Sequence, residues 1–574
     1  MIDLHAKPFC LDDDSIRWVE ETLASLTPEE KVGQLFICLN LFQDEAHVRE
    51  MCEKYHVGGV RWQGGTTETV YEQNRMFQQY SKVPVLIAAN CEAGGNGAIS
   101  AGTLVAPGAA CGAAPDERTA YEMAKVGGRE AAAIGCNWTF APVADVYLNW
   151  QNTIVNTRSF GGDVEKVIRC SKAYHRAMQE NGILCAAKHF PGDGSEGRDQ
   201  HLVMGCNDLS VEEWENTFGK VYRALIEDGI ESIMIGHICQ RAWQKKLNPA
   251  LSDEDILPAT LSKELLQGLL REHLGFNGLI VTDASHMAGL NAAADRYHQV
   301  TGAIAAGCDM FLFFNDPAED IAYMQRGIRE GIVTEERLNE AVTRILGLKA
   351  KLKLYEKEFP KKEGLSVIGS AAHHEAAARA ADRSITLVKD TQHLLPVDPK
   401  QRKRAKVYFL ESQPISAGDP VDPAKKIITE ELEAAGFEVD LHPNYYDMER
   451  TAPHPFNRIK MMQCGSVEEF KAKYDVVFVV INMKGYAKEN NVRAAFSCSH
   501  SNEIPWYVKE VPTVGISLNY TNHLYDLPML KTFVNAYAPT REYIHAAVQK
   551  IVGNSAFLGH ADETVWCGRW DTRI

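Results

Sequence analysis

The sequence predicts an α/β protein in two parts, a (β/α)8 TIM-type barrel followed by a three-layer α/β sandwich domain. Up to about residue 350, eight short apolar runs alternate with longer stretches of helical periodicity. Several runs end in ionisable or amide side chains, as strands do where they reach the working rim of such a barrel. Beyond a stretch mixing Lys, Glu, Pro and Gly at 351–372, strand-like and helix-like segments resume.

The eight runs lie at 35–38, 57–60, 83–90, 138–146, 183–190, 232–237, 278–283 and 309–314. Between them, 120–133, 164–180, 211–228 and 262–274 carry the apolar period of helices, so the order is strand then helix, repeated. Eight such units close most simply into a barrel whose working face is the C-terminal rim. The polar strand ends there are Asn90 with Glu92, Asp145, Lys188 with His189, His237 and Asp283. One strand end turns polar merely on meeting solvent; five of eight together point to a site. The barrel is placed at 1–350, the linker at 351–372 and the sandwich at 373–574. In the sandwich, 406–410, 476–481 and 513–518 read as strands, and 423–435 and 540–552 as helices.

The 574 residues carry a net charge of −16. An acidic chain without a clustered basic stripe repels phosphate backbones, so nucleic acid is not an expected partner. No stretch approaches the ~18 uninterrupted apolar residues that a membrane-crossing helix needs. The start, Met1-Ile2-Asp3-Leu4-His5-Ala6-Lys7, lacks the basic and then apolar pattern of a secretory leader. The 14 cysteines include no C-x-x-C pair, and Cys38, Cys185 and Cys239 sit in apolar runs. That distribution predicts reduced core thiols and a cytoplasmic location. Gly94-Gly95-Asn96-Gly97 lacks the Gly-Lys-Ser/Thr of a phosphate-binding loop. No metal or cofactor is expected, and the sequence carries no sign of oligomeric state.

Chemistry concentrates in two places. Lys188-His189-Phe190-Pro191-Gly192-Asp193-Gly194-Ser195-Glu196-Gly197-Arg198-Asp199-Gln200-His201 runs from a strand end into a loop broken by Gly and Pro, a form suited to a substrate lid. Asp199 and His201 are two apart and can converge in a turn, the carboxylate orienting the imidazole and favouring its charged form. In Gly278-Leu279-Ile280-Val281-Thr282-Asp283-Ala284-Ser285-His286-Met287, a buried strand delivers Asp283 to the rim. Together these supply what glycoside cleavage with retention needs, a carboxylate to attack the anomeric carbon and a separate proton donor. An imidazole, whose ordinary pKa is about 6.5, suits both halves of that cycle near neutrality. Two other classes fit the same residues. His189, Asp193, Asp199 and His201 are a possible metal-ligand set at a barrel mouth, and a sugar-binding protein without turnover is the other alternative.

At these residues the chain resembles glycoside hydrolase family 3, and within it the β-N-acetylglucosaminidase subgroup. The resemblance spans nearly the whole chain. Leu26-Thr27-Pro28-Glu29-Glu30-Lys31-Val32-Gly33-Gln34-Leu35-Phe36 is similar to the family's opening helix. Phe140-Ala141-Pro142-Val143-Ala144-Asp145-Val146, Asn156-Thr157-Arg158-Ser159-Phe160-Gly161 and Pro258-Ala259-Thr260-Leu261-Ser262 follow in register. Arg383-Ser384-Ile385-Thr386-Leu387-Val388-Lys389 with Leu394-Leu395-Pro396 is similar to the entry to the family's α/β sandwich.

The resemblance implies a strand-end nucleophile at Asp283, which forms a covalent glycosyl-enzyme. The subgroup's loop pattern K-H-F-P-G-x-G-x-x-x-x-D-x-H is matched at Lys188, His189, Asp199 and His201, which makes His201 the general acid/base and Asp199 its partner. Lys188, His189, Arg158 and Asp145 match positions that hold the sugar's hydroxyls or order the pocket, and His237 and Met287 are expected to line it. Two departures leave sugar specificity open. The subgroup's D-Q-E-G-G is here Asn90-Cys91-Glu92-Ala93-Gly94, so its sugar-binding carboxylate is replaced by Asn90 or displaced to Glu92. Asp193 stands where hexosaminidases carry histidine, a choice more like the β-glucosidase branch. The expected activity is retaining, exo-acting cleavage of terminal β-linked N-acetylhexosamine from a small carbohydrate substrate. Phosphorolysis stays open because a neutral imidazole does not repel a phosphate dianion, and so does β-glucosidase or β-xylosidase action.

Overall fold

A computed structural model describes the chain except for residues 1, 41–43, 63–64, 413–420, 463–464, 484, 486, 488 and 491–492. Each of the eight apolar runs forms a strand of a closed parallel barrel. The strands are β1 (Phe36–Asn40), β2 (Gly59–Trp62), β3 (Leu86–Ala89), β4 (Trp138–Thr139), β5 (Leu184–Phe190), β6 (Ser232–Ile235), β7 (Leu279–Ala284) and β8 (Met310–Leu312). Neighbours in sequence are neighbours in the barrel, and β8 closes on β1, the arrangement that repeated βα units of one hand produce.

The strands lack polar alternation because both faces are covered: β3, β5 and β6 are buried throughout. Helices such as Thr67–Tyr80, Val164–Gln179 and Arg296–Ala306 return the chain between strands, and Pro317–Arg329 follows the last of them. Their starts are set by Thr66, Asp163, Asp295 and Asp316, whose side chains accept from the amide three residues on, each cap contributing about 1 kcal/mol.

β4 is shorter than its apolar run. Only Trp138 and Thr139 pair as a strand, because Pro142 has no amide proton to continue the ladder. Beyond it the chain keeps Ala144 N donating to Lys188 O at 2.8 Å. This holds Asp145 beside the end of β5.

The chain divides into two units, one of residues 1–105 and 120–376, the other of residues 106–119 and 377–574. The second holds a six-stranded mixed sheet of β9 (Thr386–Asp390), β10 (Arg404–Glu411), β11 (Glu438–Leu441), β12 (Val476–Asn482), β13 (Thr513–Ser517) and β14 (Thr532–Asn535). The strand order is β9-β14-β13-β12-β10-β11, parallel except for β9. Tyr408, Leu410, Val477, Val479, Ile481, Tyr507 and Phe533 form its core. The segment 106–119 joins this unit through Ala113 O, which accepts from His560 N at 2.8 Å, and through an Asp116–Arg383 ion pair of 2.5 Å. The stretch 351–372 contains a short helical segment, Lys362–Val367. Among the described residues no helix is long and apolar enough to cross a membrane. The described cysteines are free thiols, and all but Cys10 and Cys206 are buried.

Candidate active site

The C-terminal rim of the barrel gathers most of the ionisable strand ends. β7 is buried until its last two residues, where Asp283 emerges with 14% of its side chain exposed. Its Oδ1 accepts from Ala284 N at 2.7 Å, and its Oδ2 lies 3.9 Å from His189 Nε2. Burial pushes the Asp283 carboxyl up, but His189, His237, His201 and Lys188 outweigh it and hold the group at about 2.

β5 contributes Lys188 and His189, both nearly fully buried. Asp145 accepts from His189 N at 3.1 Å, and its Oδ2 is 2.7 Å from His189 Nδ1. The ring is thereby oriented with its other nitrogen towards Asp283. Glu92, just past β3, takes Arg158 in a bidentate pair of 2.7 and 2.8 Å and Lys188 at 2.6 Å. Burial works against its charge, yet these two cations hold it far below the usual carboxylate range. Asn90 Oδ1 is buried with no hydrogen-bond partner among the described residues. Of the two candidates after β3, Glu92 is the carboxylate that meets the cations.

The loop after β5 carries the second centre. Asp199 is fully buried and accepts from His201 N at 2.8 Å, with its Oδ1 2.7 Å from His201 Nδ1; the His201 side chain is 17% exposed. The loop's path depends on Gly192 and Gly194, at φ +123° and +106°. A Cβ on Gly194 would meet Val146 O at 2.4 Å.

Asp193 braces this loop. Its Oδ1 accepts from Asn152 Nδ2 at 2.6 Å and from Gly194 N at 2.7 Å. Burial first, and Asp145 beside it, push its carboxyl up to about 6. His237 is also inward. Its Nδ1 is 2.8 Å from Thr260 Oγ1 and its Nε2 donates to Ala284 O at 3.0 Å, so both nitrogens are spent within the protein. Met287 is 1% exposed.

Asp283, His189, Asp145, Lys188, Glu92, Arg158, Asp199 and His201 thus converge, with Asn90 beside them, while His237 and Met287 are buried. Among the metal-ligand alternatives, His189 is paired with Asp145, Asp193 with Asn152 and Asp199 with His201. The described residues contain no group of three or more His, Cys, Asp or Glu side chains placed to hold a metal. Sequence reasoning missed Asn152, Thr260 and Gln200, whose Oε1 accepts from His237 N at 2.8 Å. None carries a local signal, because each acts on a residue more than twenty positions away.

Residues 27–348 match the glycosyl hydrolase family 3 N terminal domain. The chain belongs to glycosyl hydrolase family 3. Over 577 residues it is 38% identical to a "Beta-N-acetylglucosaminidase/beta-glucosidase" of Cellulomonas fimi, covering 100% of both chains. This family 3 glycosidase matches the solved "Beta-glucoside phosphorylase BglX" with a TM-score of 0.90 and 37% identity, over 99% of each chain. It matches a family 3 β-N-acetylglucosaminidase from Paenibacillus sp. str. FPU-7 with a TM-score of 0.77 and 25% identity, over 93% of this chain and 98% of that one.

Proposed function

We propose that the chain is a retaining, exo-acting β-glycosidase for terminal β-linked N-acetylglucosamine, with Asp283 as nucleophile and His201, oriented by Asp199, as acid/base. The observation that carries this reading is a carboxylate held ionised at about 2 within the electrostatic reach of a partly exposed imidazole that a buried carboxylate orients. Asp283 attacks the anomeric carbon while His201 gives its proton to the departing oxygen. The acceptor then attacks from the face the aglycone left, opposite Asp283, and displaces it while His201 takes a proton back. Lys188, Arg158 and Glu92 offer donors and acceptors to the sugar's hydroxyls, and the unpartnered Asn90 Oδ1 accepts one more.

Phosphate as the acceptor is a second reading. It is favoured by an imidazole where a carboxylate would repel the dianion, and by the likeness to the phosphorylase over 99% of each chain. Initial rates on aryl β-N-acetylglucosaminide and aryl β-glucoside, each with and without inorganic phosphate, test both. Higher kcat/KM on the N-acetyl sugar supports the first, and a sugar-1-phosphate product supports the second. A strong preference for the glucoside overturns the N-acetyl assignment. Turnover by Asp283→Ala within about tenfold of the native rate overturns the nucleophile.

A further inference from the structure

Just past Asp283, His286 stands exposed at the barrel mouth on a turn fixed from several sides. Ser285 N donates to Leu312 O at 2.6 Å, Ser285 Oγ to Phe313 O at 2.8 Å, and Met287 N to Ala284 O at 3.1 Å. The His286 ring stacks on the Phe313 ring, with centroids 6.4 Å apart and 14° between planes. Its nitrogens have no hydrogen-bond partner among the described residues. The same turn is tied to the acid/base loop, since Ala288 N donates to His201 O at 3.0 Å. His286 is therefore a pre-positioned donor that the protein itself does not use.

The charges around it are one-sided. Burial, and then His201 and Arg61, lower the pKa of His286, whereas among the described residues Asp283 raises it. Arg61 comes from the end of β2. In the glycosyl-enzyme Asp283 is a neutral ester, so the described groups that His286 still feels, His201 and Arg61, are cationic or able to become so. Water requires no such setting as an acceptor, but a dianion is stabilised by it. Retention brings the acceptor in where the aglycone left, which is the side served by His201.

We propose that His286, with Arg61 and His201, forms a subsite that binds a phosphate dianion as acceptor for the glycosyl-enzyme, an inference that rests on the phosphate reading above. A phosphate oxygen bonds to the anomeric carbon as the bond to the Asp283 oxygen breaks. The electron pair of that bond stays on Asp283, restoring the carboxylate. The proton remaining on phosphate passes to the neutral His201 imidazole, which recharges it for the next leaving group.

The partition of the glycosyl-enzyme between sugar-1-phosphate and free sugar tests this, because that ratio is independent of how fast the intermediate forms. With an activated aryl glycoside at fixed inorganic phosphate, His286→Ala and His286→Asn each lower the ratio roughly tenfold and raise the KM for phosphate by a similar factor, the scale of one charge-assisted hydrogen bond. Arg61→Ala moves it the same way, and His286→Arg restores most of it. A ratio within about twofold of native in both neutral variants overturns the subsite while leaving phosphorolysis intact. A native enzyme that makes no sugar-1-phosphate at any phosphate concentration overturns the phosphate reading, and the subsite with it.

Discussion

At the scale of single residues, three carboxylates within one rim are driven to different states by their neighbours. Asp283 and Glu92 are buried but faced by cations, so both stay charged. Asp193 is buried against Asp145 and is pushed up to about 6 from an ordinary 3.8. The sign of its effect on stability follows. The folded protein keeps this proton to higher pH than the unfolded chain does, so stability is greatest below about 4 and falls as pH rises through about 6. Asp193→Asn should therefore flatten that slope, the native protein losing roughly 2 kcal/mol more than the variant between pH 4 and 7. Denaturant unfolding at several pH values measures it, and parallel curves would show that Asp193 is not the source. Its bonds to Asn152 and Gly194 make Asp193 a brace of the loop.

At the scale of elements, the acid/base loop and the turn after β7 are one assembly. Gly289 N donates to Gln200 O at 3.2 Å, and a Cβ on Gly289 would stand 2.7 Å from that oxygen and 3.0 Å from His237 Cβ. The loop can dock only on a residue without a side chain. His201→Ala should slow alkyl glycosides, whose leaving groups need protonation, far more than activated aryl glycosides. Gly289→Ala should be a milder copy, its loss on alkyl glycosides exceeding that on activated ones by roughly tenfold. The slope of log kcat/KM against leaving-group pKa reads both. Equal losses across the series would mean that neither residue serves proton transfer. The loop itself was legible in the sequence as a Gly- and Pro-broken run of ionisable groups, but its docking partner was not, because Gly289 differs from other glycines only by what lies above it.

At the scale of the whole molecule, the barrel sequence is interrupted by residues that belong elsewhere. Helix Gly108–Ala113 is mostly buried and is held through His560, while Asp116 pairs with Arg383. A chain ending at residue 376 should leave that helix without cover, and should melt lower or aggregate where the full chain stays native; thermal unfolding and size-exclusion chromatography check this, and an unchanged melting temperature would count against it. The sequence by itself determined the eight-strand barrel, an α/β domain after it, and the nearness of Asp199 to His201. Those features are written locally, in runs of apolar residues and in a spacing of two. Only the tertiary structure decided that Glu92 meets Arg158 across 66 positions, that Asp145 orients His189 across 44, and that His237 turns inward while His286 faces out. Barrel closure sets those contacts, and closure brings together strand ends whose separation along the chain leaves no periodic trace in the sequence.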